Sequence, residues 1–336
     1  MDCAGSMPPL RTCVALATFN GATFLAEQLG SYLTQTRLPD ELCISDDGST
    51  DETAALISRF AQEAPFAVKV VSSPGRLGAN KNFENVLAHC SGDVILFSDQ
   101  DDVWLPHHVE RLLAPMENDA RIVAVASNSI YVNEKLEPTG VDLERSERFP
   151  SSLRKATMKL PRNQFELVLR HRIAAGHGMA FRANLIPLLV PFSSHAIYDQ
   201  WVFLLAAAAG FVTYVGEPLT LHRQHARQAE ANRIVSLRTW AANSESVTQD
   251  QQHSEEEKWR GILARVKEHQ SLLQDARRAT NSLEGKLNFI CRRANARNAS
   301  VPARLAFTLR ELILGRYHRW GRGFLTFGRD LYGSRG

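Results

Sequence analysis

The sequence predicts an α/β protein built on a mostly parallel, doubly wound, Rossmann-like sheet, with a helical extension at its C-terminal end. Three observations predict it. Short apolar runs alternate with amphipathic stretches from Leu10 to about Ala126, as in strands covered by helices on both faces. The first strand-like runs end in polar turns, at the place where such sheets hold their ligands. From about Ala231 the composition shifts to charged helical patterns, then to arginines mixed with aromatics and leucines. The expected division is a tail over 1–9, an α/β domain over 10–230 and a helical region over 231–336.

Thr12 to Ala17 is a buried strand by its unbroken apolar character, and it ends at Thr18-Phe19-Asn20-Gly21. Phe24, Leu25, Gln28, Leu29, Tyr32 and Leu33 then recur at helical spacing. Leu42-Cys43-Ile44-Ser45 is a second strand running into Asp46-Asp47-Gly48-Ser49-Thr50-Asp51, whose Ser and Asp residues offer caps to a helix from Glu52. Val68 to Val71 is a third strand, ending in Ser73-Pro74-Gly75-Arg76-Leu77-Gly78. A helix over Asn80 to His89 leads to the strand Val94-Ile95-Leu96-Phe97 and the acidic turn Ser98-Asp99-Gln100-Asp101-Asp102-Val103-Trp104. Leu112-Leu113 marks another helix and Ile122 to Ala126 another strand. Asn133 to Arg162 is polar with three prolines and reads as a long loop or lid. The glycines of Gly176-His177-Gly178 signal close backbone approach or a tight bend, and His177 is a candidate substrate contact. Tyr198-Asp199-Gln200-Trp201 opens an apolar helix, and a strand from Phe211 to Val215 precedes His222-Arg223-Gln224-His225.

The four polar turns 18–21, 46–51, 73–78 and 99–102 should converge on one crevice. Three carboxylates ending a buried strand repel one another. A hard cation such as Mg²⁺ or Mn²⁺ removes that cost and recruits substrate phosphates. The competing reading is an acidic helix cap. No GxGxxG turn follows the first strand and no GxxxxGK[ST] occurs, which disfavours dinucleotide dehydrogenases and P-loop NTPases. Asp199, at the mouth of an apolar helix, is either a cap or a general base.

A net charge of +3 gives no global sign of nucleic-acid binding. The five cysteines show no CxxC pair, which suits a reducing compartment. No secretory leader is expected from Met1–Pro9, and the longest apolar run, Val202 to Val215, is short for a membrane span. The arginine-rich tail has three readings: a peripheral contact with an anionic membrane leaflet, helices that complete the core, or an oligomer contact.

Thr18-Phe19-Asn20-Gly21, Asp46 to Asp51, Asn80 to Phe83 and Ser98 to Trp104, in this order, resemble the family 2 glycosyltransferases, and in particular the bacterial rhamnosyltransferase-like members. The resemblance covers Leu10 to roughly Ala226 and implies a GT-A fold with inverting transfer from a nucleotide-diphosphate sugar. It implies that Thr18 and Asn20 line the nucleotide pocket, that Asp47 contacts the base and that Arg76 assists. Asp99 and Asp101 match the DxD motif, Asp99 nearer the ribose and sugar and Asp101 on a Mg²⁺ or Mn²⁺ ion. Asp199 matches the acceptor-side catalytic aspartate and Trp201 an aromatic lining the acceptor site, while Arg223 and His225 match a segment closing over the diphosphate, with His225 a metal ligand. His222 stands where the family usually has an aromatic, and Gln200 where an aromatic is common.

The function expected is therefore metal-dependent sugar transfer, with dTDP-rhamnose as donor and a saccharide or lipid-linked saccharide of bacterial surface polysaccharide as acceptor, and no nucleic-acid partner. The expected location is cytoplasmic, on the inner face of the membrane. The alternatives are a metal-dependent nucleotidyltransferase and a non-catalytic membrane-surface scaffold.

Overall fold

The computed structural model describes residues 9–73, 75–147, 149, 158–159, 164–226, 228, 249–297 and 299–332. Its elements in chain order begin with β1 (Thr12–Thr18), α1 (Leu25–Leu33), β2 (Glu41–Asp46), α2 (Thr53–Glu63), β3 (Ala67–Ser72), α3 (Ala79–Leu87) and β4 (Val94–Asp99). Then come β5 (Val103–Trp104), α4 (His108–Asn118), β6 (Ile122–Val132), β7 (Pro138–Asp142), α5 (Leu143–Ser146), β8 (Met158–Lys159), α6 (Gln164–Arg170) and β9 (Met179–Arg182). The chain continues through α7 (Ile186–Leu189), α8 (Tyr198–Ala209) and β10 (Phe211–Arg223) to five further helices. These are α9 (Gln249–Glu268), α10 (Ala276–Arg297), α11 (Val301–Ile313), α12 (Arg316–Trp320) and α13 (Phe324–Tyr332).

One sheet runs in the order β3-β2-β1-β4-β9-β6-β10-β5, with β7 added on β6 and β8 on β10. The expected parallel pairing holds across β3-β2-β1-β4. It then gives way: β9 lies antiparallel between β4 and β6, while β6 and β10 pair in parallel. Beyond β4 the sheet is mixed rather than mostly parallel. Three apolar residues, Met179 to Phe181, carry no directional information in their pattern. Apolar side chains on the two faces of the sheet build two clusters, one under α1, α2 and α4 and one under α3, α8 and the C-terminal helices.

The stretch from Asn133 starts as a hairpin rather than a loop. Asn133 Oδ1 accepts from the backbone N–H groups of Lys135 and Glu137, which turns β6 back into β7. Beyond Glu147 that stretch is described only at residues 149 and 158–159, and the tail 1–8, Pro74, residue 227 and residues 229–248 also lie outside the described residues. Cys13, Cys43 and Cys90 bring three free sulfur atoms within 4.8 Å of one another, a grouping that their irregular spacing hid.

The core under α8 runs unbroken into the C-terminal helices. Trp259, Ile262 and Val266 of α9, Leu283 and Phe289 of α10, and Tyr317 and Trp320 of α12 join Trp201 and Phe203 in one cluster. Of the three readings of the tail, completion of the core describes these helices. Lys286 of α10 is buried there, donating to the Trp320 carbonyl, with its ammonium 5.0 Å from the Trp259 ring centroid. Burial lowers its pKa to about 7, against a partial opposing effect of Glu255. The unfolded chain therefore binds the extra proton between about pH 7 and the ordinary lysine value, so this residue makes stability rise with pH across that window. In thermal melts from pH 6 to 10, Lys286→Met is expected to flatten that rise relative to wild type.

Candidate active site

The site is built where β1, β2 and β4 end. Parallel neighbours end in register, so their following turns meet. Phe19 is clasped by the Gln100 side chain, whose Oε1 accepts from Phe19 N–H at 2.9 Å and whose Nε2 donates to the Phe19 carbonyl at 3.0 Å. Asn20, at positive φ, donates its N–H to Ser49 Oγ and accepts from Thr50 N–H. Asp47 accepts from the N–H groups of Leu77 and Gly78, tying the third turn to the second. Arg76 lies over the Phe19 ring at 4.3 Å. All four turns converge.

At the centre stand Asp99, Asp101 and Asp102. Asp99 accepts from the Tyr198 hydroxyl at 2.8 Å. Burial, then Asp102 and Asp101, push its pKa well above the ordinary carboxylate range, with the Tyr198 bond opposing them. Asp102 is fully buried and faces His222 Nδ1 at 3.0 Å and His177 Nδ1 at 3.4 Å. The two imidazoles stack at 4.2 Å. Burial opposes a charge on His222, yet Asp102, with smaller help from Asp101 and Asp99, raises it to about 9. His177 is driven the other way, first by burial and then by His222. Without a metal, Asp102 thus favours the protonated form of His222 while burial favours the neutral form of its stacked neighbour, and a cation taken by both rings would displace the His222 proton.

A second pair lies further out. His225 Nε2 meets Asp101 Oδ2 at 2.8 Å, and its ring rests on Phe24 with centroids 4.8 Å apart. The donor chemistry fits a divalent cation: Asp102, His177 and His222 bring a carboxylate oxygen and two ring nitrogens within 4.8 Å of one another. His177 Nε2 is buried with no hydrogen-bond partner, a donor set left incomplete.

On the far side of the crevice, α8 presents Asp199 in its first turn. The carboxylate is 3% exposed, receives Arg172 Nη2 at 2.6 Å and Gly176 N–H at 3.2 Å, and accepts from Gln200 N–H on its other oxygen. It does not cap the helix, since Ile197 occupies that position. Gly176 is required for closeness: a Cβ there would stand 1.9 Å from Tyr198 Oη. Gly176→Ala is expected to push Tyr198 off Asp99 and to cost about 1–3 kcal/mol by overpacking. Denaturant melts beside donor-binding measurements check both effects.

Four expectations need correcting. Trp201 does not line the crevice: it is 2% exposed, donates to the Leu189 carbonyl at 2.7 Å and packs near Gly261. It lies two residues, about 200° of helix, beyond Asp199 and so faces the core. Arg223 is also unavailable to a diphosphate. It is fully buried over the Phe24 ring, donates to the Asp101 and Glu134 carbonyls, and pairs with Glu27. His177 stands beneath the carboxylates rather than at an acceptor rim. Thr18 is buried, with its hydroxyl on Asp46 rather than open to the crevice. Gln100, Tyr198, Arg172 and the pairing of Asp102 with His222 escaped the sequence reading. A neutral amide between two aspartates was the visible signal for Gln100.

The chain is similar to known proteins over part of its length. It is 33% identical over 102 residues to the dTDP-rhamnosyl transferase RfbG of Shigella flexneri, covering 29% of this chain and 35% of that one. It is 34% identical over 106 residues to an uncharacterized glycosyltransferase of Nostoc, covering 31% of this chain and 32% of that one. The matched stretch is thus about a third of the length of these relatives. Among solved structures, Staphylococcus aureus TarS 1–349 in complex with UDP-GlcNAc superposes with a TM-score of 0.54 at 15% identity, covering 96% of this chain and 89% of that one. The mannosyltransferase PcManGT from Pyrobaculum calidifontis, in complex with GDP-Man and Mn²⁺, gives 0.52 at 18% identity, covering 98% and 86%. At such identities the likeness shows the fold, which is GT-A-like. The glycosyl transferase family 2 profile matches residues 13–186, from the first strand to the start of α7 and through the whole acidic turn. The chain belongs to glycosyl transferase family 2.

Proposed function

We propose that this protein is an inverting glycosyltransferase that moves a sugar, rhamnose from dTDP-rhamnose, from a nucleotide-diphosphate donor to a saccharide or lipid-linked saccharide of bacterial surface polysaccharide. The observation that carries the reading is the convergence of the four turns on an acidic centre, where His225 Nε2 meets Asp101 Oδ2 at 2.8 Å and Tyr198, next to Asp199 on α8, bonds Asp99. The likeness to the dTDP-rhamnosyl transferase RfbG supports the choice of sugar.

In this reading Asn20, Asp47 and Arg76 take the nucleotide, with Arg76 sliding from the Phe19 ring to the base. Thr18 supports them from beneath. Asp101 and His225 would hold Mg²⁺ or Mn²⁺, which supplies Lewis-acid neutralisation of the leaving diphosphate. Asp99, oriented by Tyr198, faces the ribose and sugar. Asp102 and the His222 imidazolium fix the turn that carries Asp101. Asp199 takes the acceptor proton on the face opposite the leaving group, and Arg172 fixes its carboxylate for that purpose. Arg223 closes nothing; it holds the backbone of Asp101 and the β10 end in place.

Nucleotide release from a panel of dTDP-, UDP- and GDP-sugars, with Mn²⁺ or Mg²⁺ and with chelator, tests the reading. Metal-dependent release from dTDP-rhamnose alone is expected. Release from another donor only would replace the sugar. No release from any donor, together with no metal-dependent thermal shift by any nucleotide, would sink the proposal.

A further inference from the structure

Helix α11 is amphipathic in the wrong sense for a helix facing water. Its polar residues Thr308 and Glu311 are buried, at 1% and 0% exposed, while Val301, Leu305, Leu309 and Ile313 are exposed at 57%, 40%, 50% and 83%. Those four recur every fourth residue, so they form one stripe along about 20 Å of helix. Leu314, next to Ile313 in sequence, and Phe324 of α13 are also exposed, at 51% and 68%. A contiguous exposed patch of this kind marks a surface that something covers.

The charge around it says what. From Arg292 to the last residue the sequence has ten arginines and two acids, Glu311 and Asp330. Both acids are buried and satisfied from within: Glu311 by Arg292 and Arg316, Asp330 by Arg293, Arg297 and the Tyr317 hydroxyl. The exposed ionisable groups left among the described residues of α11 to α13 are basic: Arg310, His318, Arg319 and Arg322, the last also paired with Glu147. Apolar side chains flanked by arginine, with no exposed acid, match the interface of a bilayer rich in anionic headgroups. No helix among the described residues is long and apolar enough to cross a membrane, so contact would be along the surface.

We propose that the exposed face of α11, with Phe324, docks this protein on an anionic bilayer and brings that bilayer to the acceptor side of the crevice. The second half rests on the reading of Asp199 given above. An alternating row of charges links the two places: Arg322 to Glu147 at 3.2 Å, Glu147 to Arg172 at 4.0 Å, and Arg172 to Asp199 at 2.6 Å. Arg322 is two residues from Phe324. The surface that meets the headgroups therefore begins three charged contacts from the carboxylate that would receive the acceptor, as suits an acceptor carried on a lipid.

Co-sedimentation of the full chain with phosphatidylglycerol–phosphatidylethanolamine vesicles, against phosphatidylcholine vesicles, tests it without reading turnover, so it stands or falls apart from the transfer reaction. Binding to the anionic vesicles that weakens with salt is expected. Leu309→Glu with Ile313→Glu should lower partitioning at least about tenfold, with an unchanged thermal melt because both side chains already face solvent. Arg310→Glu, which removes no apolar contact, should weaken binding and its salt dependence. Equal binding to both vesicle types, or undiminished binding by the double variant, would overturn the proposal. So would a dimer in sedimentation equilibrium that the double variant dissolves while vesicles bind neither form; a second copy would then be the occupant.

Discussion

Replacing Asp199 by Asn is expected to leave donor binding intact and to lower transfer turnover by about 10²–10⁴-fold. Asn keeps the size of the side chain and can still accept from Gly176 N–H and Arg172. What it loses is the ability to take a proton. In the proposed reading donor affinity rests on the turns at the ends of β1, β2 and β4, none of which touches Asp199 through a described hydrogen bond. Calorimetric titration of the donor beside steady-state transfer separates the two effects. Undiminished turnover with normal donor binding would remove Asp199 from the mechanism. Weakened donor binding would mean instead that Asp199 acts through Tyr198, its helical neighbour on Asp99.

Arg223→Met should be the most destabilising single change around the site, at about 2–4 kcal/mol. The methionine fills much of the same space over Phe24, yet the part-buried Asp101 and Glu134 carbonyls lose the donor that the buried guanidinium supplied. Glu27 is half exposed and regains water, so the lost ion pair adds little. A fall in melting temperature on the order of 5–10 °C is expected. Because Arg223 holds the Asp101 backbone, the variant should also lose metal-dependent thermal shift more than nucleotide binding. A melt equal to wild type would show that the arginine is dispensable in the fold.

Strand and turn order was readable because unbroken apolar runs and Asp–Gly–Ser clusters are local signals. Thr18 to Gly21, Asp46 to Asp51 and Asp99 to Asp102 do meet, as parallel strands ending in register require. Side-chain direction was not readable. On β10, His222 and Arg223 are adjacent and face opposite ways, one onto Asp102 and the other onto Phe24. Motif matching alone treats the two residues as one segment. Trp201 failed for the same reason on a helix. The Asp102–His222–His177 group unites three distant stretches, and only the antiparallel β9 brings His177 there. Likewise α11 reads as an ordinary amphipathic helix until burial shows which face is outside.

The change of strand direction between β4 and β9 has a consequence for how such a protein diverges. Residues that would recognise the nucleotide lie on the parallel half, before the seam, while Arg172, Gly176, Asp199 and the C-terminal helices lie after it. The halves meet through a short ladder, Val94–Arg182 to Leu96–Ala180, the Tyr198–Asp99 bond, and the pairings of Asp101 and Asp102 with His225, His222 and His177. Substitutions after the seam can reshape what accepts the sugar while the strands that hold the donor stay as they are. Ancestry could therefore retune the two specificities at different times, provided that Tyr198 and its glycine were kept.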